Sequence, residues 1–348
     1  MSGVGFGFVS PVFEGAEWAR HCEEHGAELV ACGEAPAVFA DPIASLAVYA
    51  SATSRLRLAT SVTAPGLRHP AVLANAFSTL QMLSAGRAVL GIGTGDLSLV
   101  QLGERPWRLE PFLEYALAVR ELCAGNAVSY GGKRLALDSS VGPVPLFFGA
   151  DAPRALELAG RHADGVIVGQ AFHPDIVRTV VQRVASGAEA AGRSPDDVEI
   201  WFTLRAVFTP EPDGALSVDG LDEYVARQAY FLWRVAGSPQ PDTLRQSLLE
   251  RKGFALDDDV AGRLGRYVTE YDPAHAFGSK RNVELLQRLG LKEWAGRLFY
   301  ASGPPEHVAA RVGELVDAGA RRFLVPVMAG DRRQAVEQTA DVFAALRP

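Results

Sequence analysis

The sequence predicts an α/β fold, a (β/α)8 barrel closed by one chain of 348 residues. Three observations predict it. Short apolar runs alternate with amphipathic helical stretches, the pattern of a parallel sheet. Eight such runs occur, enough for the sheet to close. Three helix-to-strand junctions also look alike: HGAELV (25–30), HADGVIV (162–168) and AGARRFLV (318–325). Each sets a glycine between a helix end and a buried strand, the usual place of a left-handed cap.

The elements follow in order. Val4–Val9 reads as the first strand and Glu14–His25 as its amphipathic helix. Leu29–Cys32 is the second strand, with a helix near Ile43–Ala52. Leu56–Val62 is the third, and Val72, Leu73, Ala76, Phe77 and Leu80 behind it recur at helical spacing. Ala88–Ile92 is the fourth, followed by a helix over Pro111–Ala124. Val144–Phe148 is the fifth, and Pro153 opens its helix at the first-turn position that proline favours. Gly165–Val168 and Glu199–Val207 are the sixth and seventh, separated by a helix over Asp175–Ala191. The rhythm then breaks. From about Pro210 to Arg297 the pattern is mainly helical and rich in aromatic residues, which reads as an insertion between strand seven and its helix. At the catalytic mouth of a barrel such an excursion is expected to act as a lid that excludes water and selects the substrate. Pro305–Ala318, the strand Arg322–Val327 and the helix Arg332–Leu346 complete one domain over 1–348.

Composition narrows the function. The formal net charge is −7 with acids and bases interspersed, which argues against nucleic acid or an anionic membrane as partner. Cys22, Cys32 and Cys123 lie far apart, with no metal-ligand spacing, so a reducing compartment and no metal site are expected. No basic region followed by a long apolar run opens the chain, and no apolar stretch reaches the ~18–20 residues of a membrane span. A cytoplasmic location is expected.

In a barrel of this kind the residues just past each strand face the active site. The turn GIGTGD (91–96) follows strand four, but its spacing is not that of a dinucleotide fingerprint. In FFGADAPRALELAG (147–160) a helix amino terminus follows strand five; a phosphate contact and plain turn geometry both fit it. Glu34 is either a solvated loop acid or a carboxylate that hydrogen-bonds a bound ring or moves a proton. His69 reads as an orienting or capping residue, while His25 and His162 sit near helix carboxyl ends. No nucleophile elbow or zinc-binding motif occurs.

These segments together resemble the bacterial luciferase-like flavin and deazaflavin oxidoreductases, and within them the branch that uses coenzyme F420. The resemblance runs through GFGFVSP, GAELVACGEAP, the block from TSRLRLATSVTAP to LGIGTGD, VPLFFGADAPRALELAGRHADGVIVG and SGPPEHVAARVGELVDAGARRFLVP. It implies hydride transfer between C5 of the deazaflavin and a small organic substrate. It maps a non-proline cis peptide onto Ser61–Val62, and ring or side-chain contacts onto Ser61, Val62, Thr63 and Asp96. The cofactor phosphate region falls on Gly149, Ala150, Gly169 and Gln170. The resemblance also implies a homodimer paired through outer helices. One departure stands out: where this branch has an acid followed by a histidine that assists proton transfer, the chain has Glu34 followed by Ala35. Glu34 is therefore the candidate catalytic residue. Two further readings stay open, an FMN-dependent monooxygenase fed by a flavin reductase partner and a non-catalytic flavin-binding barrel.

Overall fold

The computed structural model describes residues 3–10, 13–36, 39–96, 98–169, 173–214, 221–233, 249–250, 253–272, 280–327 and 331–346. In chain order the strands are β1 (Gly5–Ser10), β2 (Leu29–Cys32), β3 (Arg57–Thr60), β4 (Ala88–Ile92), β5 (Val128–Tyr130) and β6 (Lys133–Leu135). They continue with β7 (Leu146–Gly149), β8 (Gly165–Val168), β9 (Glu199–Thr203), β10 (Ala206–Phe208), β11 (Ala301–Gly303) and β12 (Arg322–Pro326). The helices are α1 (Gly15–Glu24), α2 (Pro42–Ala52), α3 (Pro70–Leu83), α4 (Leu109–Cys123), α5 (Pro153–His162) and α6 (Pro174–Ala190). After them come α7 (Leu221–Trp233), α8 (Asp258–Glu270), α9 (Arg281–Arg288), α10 (Lys292–Phe299), α11 (Pro305–Asp317) and α12 (Arg332–Ala345).

Eight parallel strands close a barrel in the order β1-β12-β9-β8-β7-β4-β3-β2. Its interior is packed by Leu29, Ala31, Ala59, Val89, Phe147, Ile167, Trp201 and Leu324. Leu29 and Ala31 illustrate the rule: alternate residues of one strand point inward. On β1 the glycines take the crowded positions, since a Cβ at Gly7 would lie 2.3 Å from the Leu29 carbonyl oxygen. Phe8 packs instead against Trp18 of α1, with ring centroids 6.3 Å apart.

The amino-terminal ends of the strands are closed by charge. Arg57 donates to both carboxylate oxygens of Glu199, at 3.0 and 2.8 Å, and the Trp201 indole donates to the same group at 3.0 Å. Arg322 lies 3.4 Å from Glu28 and 3.6 Å from Glu199. The Arg57 guanidinium also sits 5.2 Å from the centroid of the Phe147 ring, a cation–π contact. A network this occupied reads as a plug that holds the barrel together, which leaves the carboxyl ends for chemistry.

Packing divides the chain into two compact units. The first is 1–169, 181–203 and 321–328, which contains the barrel; the second is 170–180, 204–320 and 329–348. Within the second, α7 to α10 lie in the mainly helical stretch and β10 pairs with β11 in a small parallel sheet. The predicted strand Glu199–Val207 is thus two strands: the chain leaves the barrel after Thr203 and re-enters a different sheet at Ala206. Strand three is shorter than predicted, ending at Thr60. The hairpin β5–β6 was not expected. It turns on Gly131 and Gly132, both at positive φ (57° and 73°), as a two-residue hairpin with right-handed strand twist requires. Of the three similar junctions, Gly26 and Gly319 have positive φ. Gly165 instead begins β8, where a Cβ would press on the Phe147 ring at 2.6 Å.

All three cysteines are buried and free. Burial pushes the Cys32 and Cys123 thiols up to about 12, which keeps them protonated and unreactive. Among the described residues no helix is long and apolar enough to cross a membrane.

Candidate active site

Glu34 stands two residues past β2 and is 8% exposed, so the solvated alternative does not hold. A buried carboxylate needs partners, and it has them. Thr63 donates its hydroxyl to Oε2 and Arg68 donates Nη1 to Oε1. Arg68 reaches on with Nη2 to Asp41 at 2.6 Å, and Asp41 caps α2 through the Ala44 N–H at 2.9 Å. The Arg68 carbonyl accepts from the Tyr115 hydroxyl at 2.7 Å. Burial alone would lower the Arg68 pKa, but the Glu34 hydrogen bond and charge, with Asp41, raise it above the ordinary guanidinium value. Glu34 is therefore paired with a permanent cation and offers only acceptor oxygens. Ala35 beside it is 1% exposed and brings no proton-carrying group.

The Ser61–Val62 peptide is cis, as the sequence resemblance maps it. The Ser61 N–H donates to the Cys32 carbonyl at 2.8 Å, the Thr63 N–H to Gly91 at 2.9 Å, and the Gly93 N–H to Thr63 at 2.9 Å. These bonds tie the end of β3 to β2 on one side and β4 on the other. Val62 is packed between glycines: a Cβ on Gly93 would meet its Cγ2 at 2.8 Å, and one on Gly149 at 3.0 Å. Residues 34, 62, 63, 93 and 149 thus form one connected patch at the carboxyl ends of β2, β3, β4 and β7.

The expected phosphate segments behave unequally. The Ala150 N–H is committed to the Ile167 carbonyl at 3.1 Å. The Gly169 N–H is taken by the Asp151 carboxylate at 2.9 Å. Neither amide is open to an anion in this state. The first turn of α5 remains, because Ala152 at its N-cap supplies no side-chain acceptor. Asp96 follows Gly95 (φ 99°) and is exposed on the loop after β4. Gln170 lies outside the described residues. His69 caps α3 by accepting from the Ala71 N–H at 3.3 Å, and His25 turns its ring to the His21 carbonyl at 2.8 Å; both therefore have structural duties.

Arg68, Asp41 and Tyr115 escape the sequence reading. The usable signal was electrostatic: a glutamate placed past a barrel strand is unstable when buried without a cation, and Arg68 follows the next strand. Nothing in linear spacing selects it over Arg55 or Arg57.

A family model described as luciferase-like monooxygenase matches residues 10–322. The chain belongs to this family. Among curated relatives of this luciferase-like chain, a 5,10-methylenetetrahydromethanopterin reductase from Methanolobus tindarius is 28% identical over 341 residues, covering 95% of each chain. An F420-dependent glucose-6-phosphate dehydrogenase from Nakamurella multipartita is 34% identical over 282 residues, 74% of this chain and 79% of its own. A solved coenzyme F420-dependent tetrahydromethanopterin reductase from Methanopyrus kandleri matches over the whole of both chains, with TM-score 0.76 and 24% identity. That likeness shows the luciferase-like barrel, a TIM-barrel fold.

Proposed function

We propose that the protein is an F420-dependent oxidoreductase acting on a small organic substrate at the carboxyl ends of its barrel strands. The observation that carries this reading is the identity to an F420-dependent dehydrogenase over three quarters of the chain. The residues present fit such a group. Val62 set between Gly93 and Gly149 gives a flat face of backbone and small side chains, suited to a planar ring. Ser61, Val62 and Thr63 would hold the ring, with Asp96 beside its side chain. The first turn of α5 would meet the phosphate end, with Gly149, Ala150 and Gly169 beside it through contacts other than the committed Ala150 and Gly169 amides; Gln170, which the sequence resemblance also maps there, lies outside the described residues. When bound, F420 supplies a two-electron carrier that exchanges a hydride at C5.

The chain's own residues then have defined tasks. Glu34, held by Arg68, fixes the Thr63 hydroxyl as a donor pointing at the carboxylate and leaves the Thr63 oxygen free to accept. Hydrogen-bonded by Thr63 and paired with Arg68, Glu34 presents its carboxylate oxygens as acceptors at the site. Ala35 adds no donor, so any proton delivered to substrate comes from another group. The stretch 210–297 selects the substrate. A second copy of the chain covers the outer faces of α2 and α3, which carry no charged side chain. Val72, Met82 and Leu83 on α3 are each more than half exposed.

Turnover without oxygen tests the proposal. Absorbance of oxidised F420 is followed anaerobically over a panel of alcohols, aldehydes and sugar phosphates. Substrate-dependent loss of the deazaflavin band is expected. Product formed only with reduced FMN and oxygen would replace this reading by the monooxygenase one.

A further inference from the structure

The carboxyl end of α1 carries two histidines, in the run HCEEH (21–25). Four residues apart, they share one face of the helix, and their ring centroids lie 4.2 Å from each other. The side chains between them are committed elsewhere. Cys22 is buried, and burial raises its thiol far above the ordinary value, which keeps it protonated. The Glu23 carboxylate accepts from the N–H groups of Ser54, Arg55 and Leu56. His21 and His25 are only half-buried, so ions in solution can reach this face.

His25 donates its Nδ1–H to the His21 carbonyl at 2.8 Å. A carbonyl only accepts, so the neutral ring holds its proton on Nδ1 and its lone pair on Nε2. A metal-ligating histidine is oriented in the same way, by a bond from its other nitrogen to a carbonyl or carboxylate. The ring nitrogens that the two histidines can offer lie within 4.8 Å of each other. Two nitrogens on one tetrahedral zinc stand about 3.3 Å apart, given bonds of ~2.0–2.1 Å. A modest side-chain rotation closes that gap. The position also favours positive charge, because the carboxyl end of a helix is the negative end of its dipole.

We propose that His21 and His25 form a binding site for a divalent transition cation such as Zn²⁺, Ni²⁺ or Cu²⁺, with water completing the shell. Imidazole suits these cations, whereas Mg²⁺ prefers oxygen ligands. The chain turns from α1 into the amino end of β2, so the pair lies at the opposite end of the barrel from the catalytic mouth. The cation therefore braces a helix end and takes no part in the reaction, and the proposal does not depend on the oxidoreductase reading. A ligand that binds the folded state raises its stability by mass action.

Thermal unfolding of the full-length protein, free of any affinity tag, in rising Zn²⁺ and separately in Mg²⁺ tests this. Zn²⁺ is expected to raise the wild-type midpoint in a saturable way, and Mg²⁺ to leave it unchanged. His21→Gln and His25→Gln should each weaken the apparent Zn²⁺ affinity at least tenfold. Electron paramagnetic resonance of the wild type with substoichiometric Cu²⁺ should show coupling to two imidazole nitrogens, a readout that stands even if a variant fails to fold. Zn²⁺ that fails to raise the wild-type midpoint, variants that keep wild-type affinity, or a Cu²⁺ spectrum with fewer than two coupled nitrogens would each overturn the proposal.

Discussion

Glu34 is 8% exposed, and a carboxylate taken that far from water is stable only while its cation stays in place. Arg68→Met should therefore destabilise the protein by about 3 kcal/mol, within the range for breaking a buried ion pair. Glu34→Gln keeps an acceptor for Thr63 and should cost less, about 1–2 kcal/mol. Urea unfolding of the two variants gives the order; a larger loss in Glu34→Gln would contradict it. A second residue is as exacting. A Cβ on Gly91 would lie 1.9 Å from the Thr60 carbonyl oxygen. The Thr60 hydroxyl bonds both the Gly91 carbonyl and its N–H, at 2.7 and 3.1 Å, so neither chain can move away. Gly91→Ala should cost about 3 kcal/mol, the upper end for overpacking, and should lower the urea midpoint without changing the slope. At this scale the sequence was half legible. Position past a strand singled out Glu34, but its partner is 34 positions away, and tertiary pairing at that distance leaves no mark in spacing.

At the scale of elements, the link from α2 to β3 is held by one side chain of α1. The Glu23 carboxylate accepts from the N–H groups of Ser54 at 2.9 Å, Arg55 at 2.5 Å and Leu56 at 2.9 Å. Burial would raise its pKa, but these three bonds and the Arg55 charge lower it overall. A carboxyl depressed in the folded state adds stability above its unfolded pKa, and that stability is lost as pH falls through the carboxylate range toward the folded value. Glu23→Gln should cost about 1 kcal/mol at neutral pH, reduced by solvent screening. Its thermal midpoint should approach that of wild type as pH falls below about 4. A gap that stays constant with pH would show that the charge does not matter. Element order was readable because hydrophobic period and cap residues are local properties. The break between β9 and β10 was not, since both halves are apolar and only their partners differ. The β5–β6 hairpin carried a readable sign in Gly131–Gly132, flanked by short alternating runs.

For the whole molecule, the eightfold alternation was sufficient for the barrel because its closure follows from strand count and parallel connection. The division near 204 and 320 was not legible, because it depends on which helices pack together. If a second copy covers α2 and α3, Leu83→Glu with Val72→Lys should convert a dimer to monomer in sedimentation, with little change in circular dichroism. An unchanged dimer would place the interface elsewhere. Which ring the barrel mouth accepts is decided by one titration. The apo-protein is titrated with F420 and with FMN, following ligand fluorescence. Saturable binding of F420 and at least tenfold weaker binding of FMN are expected; tight FMN binding with none of F420 would contradict an F420-dependent enzyme.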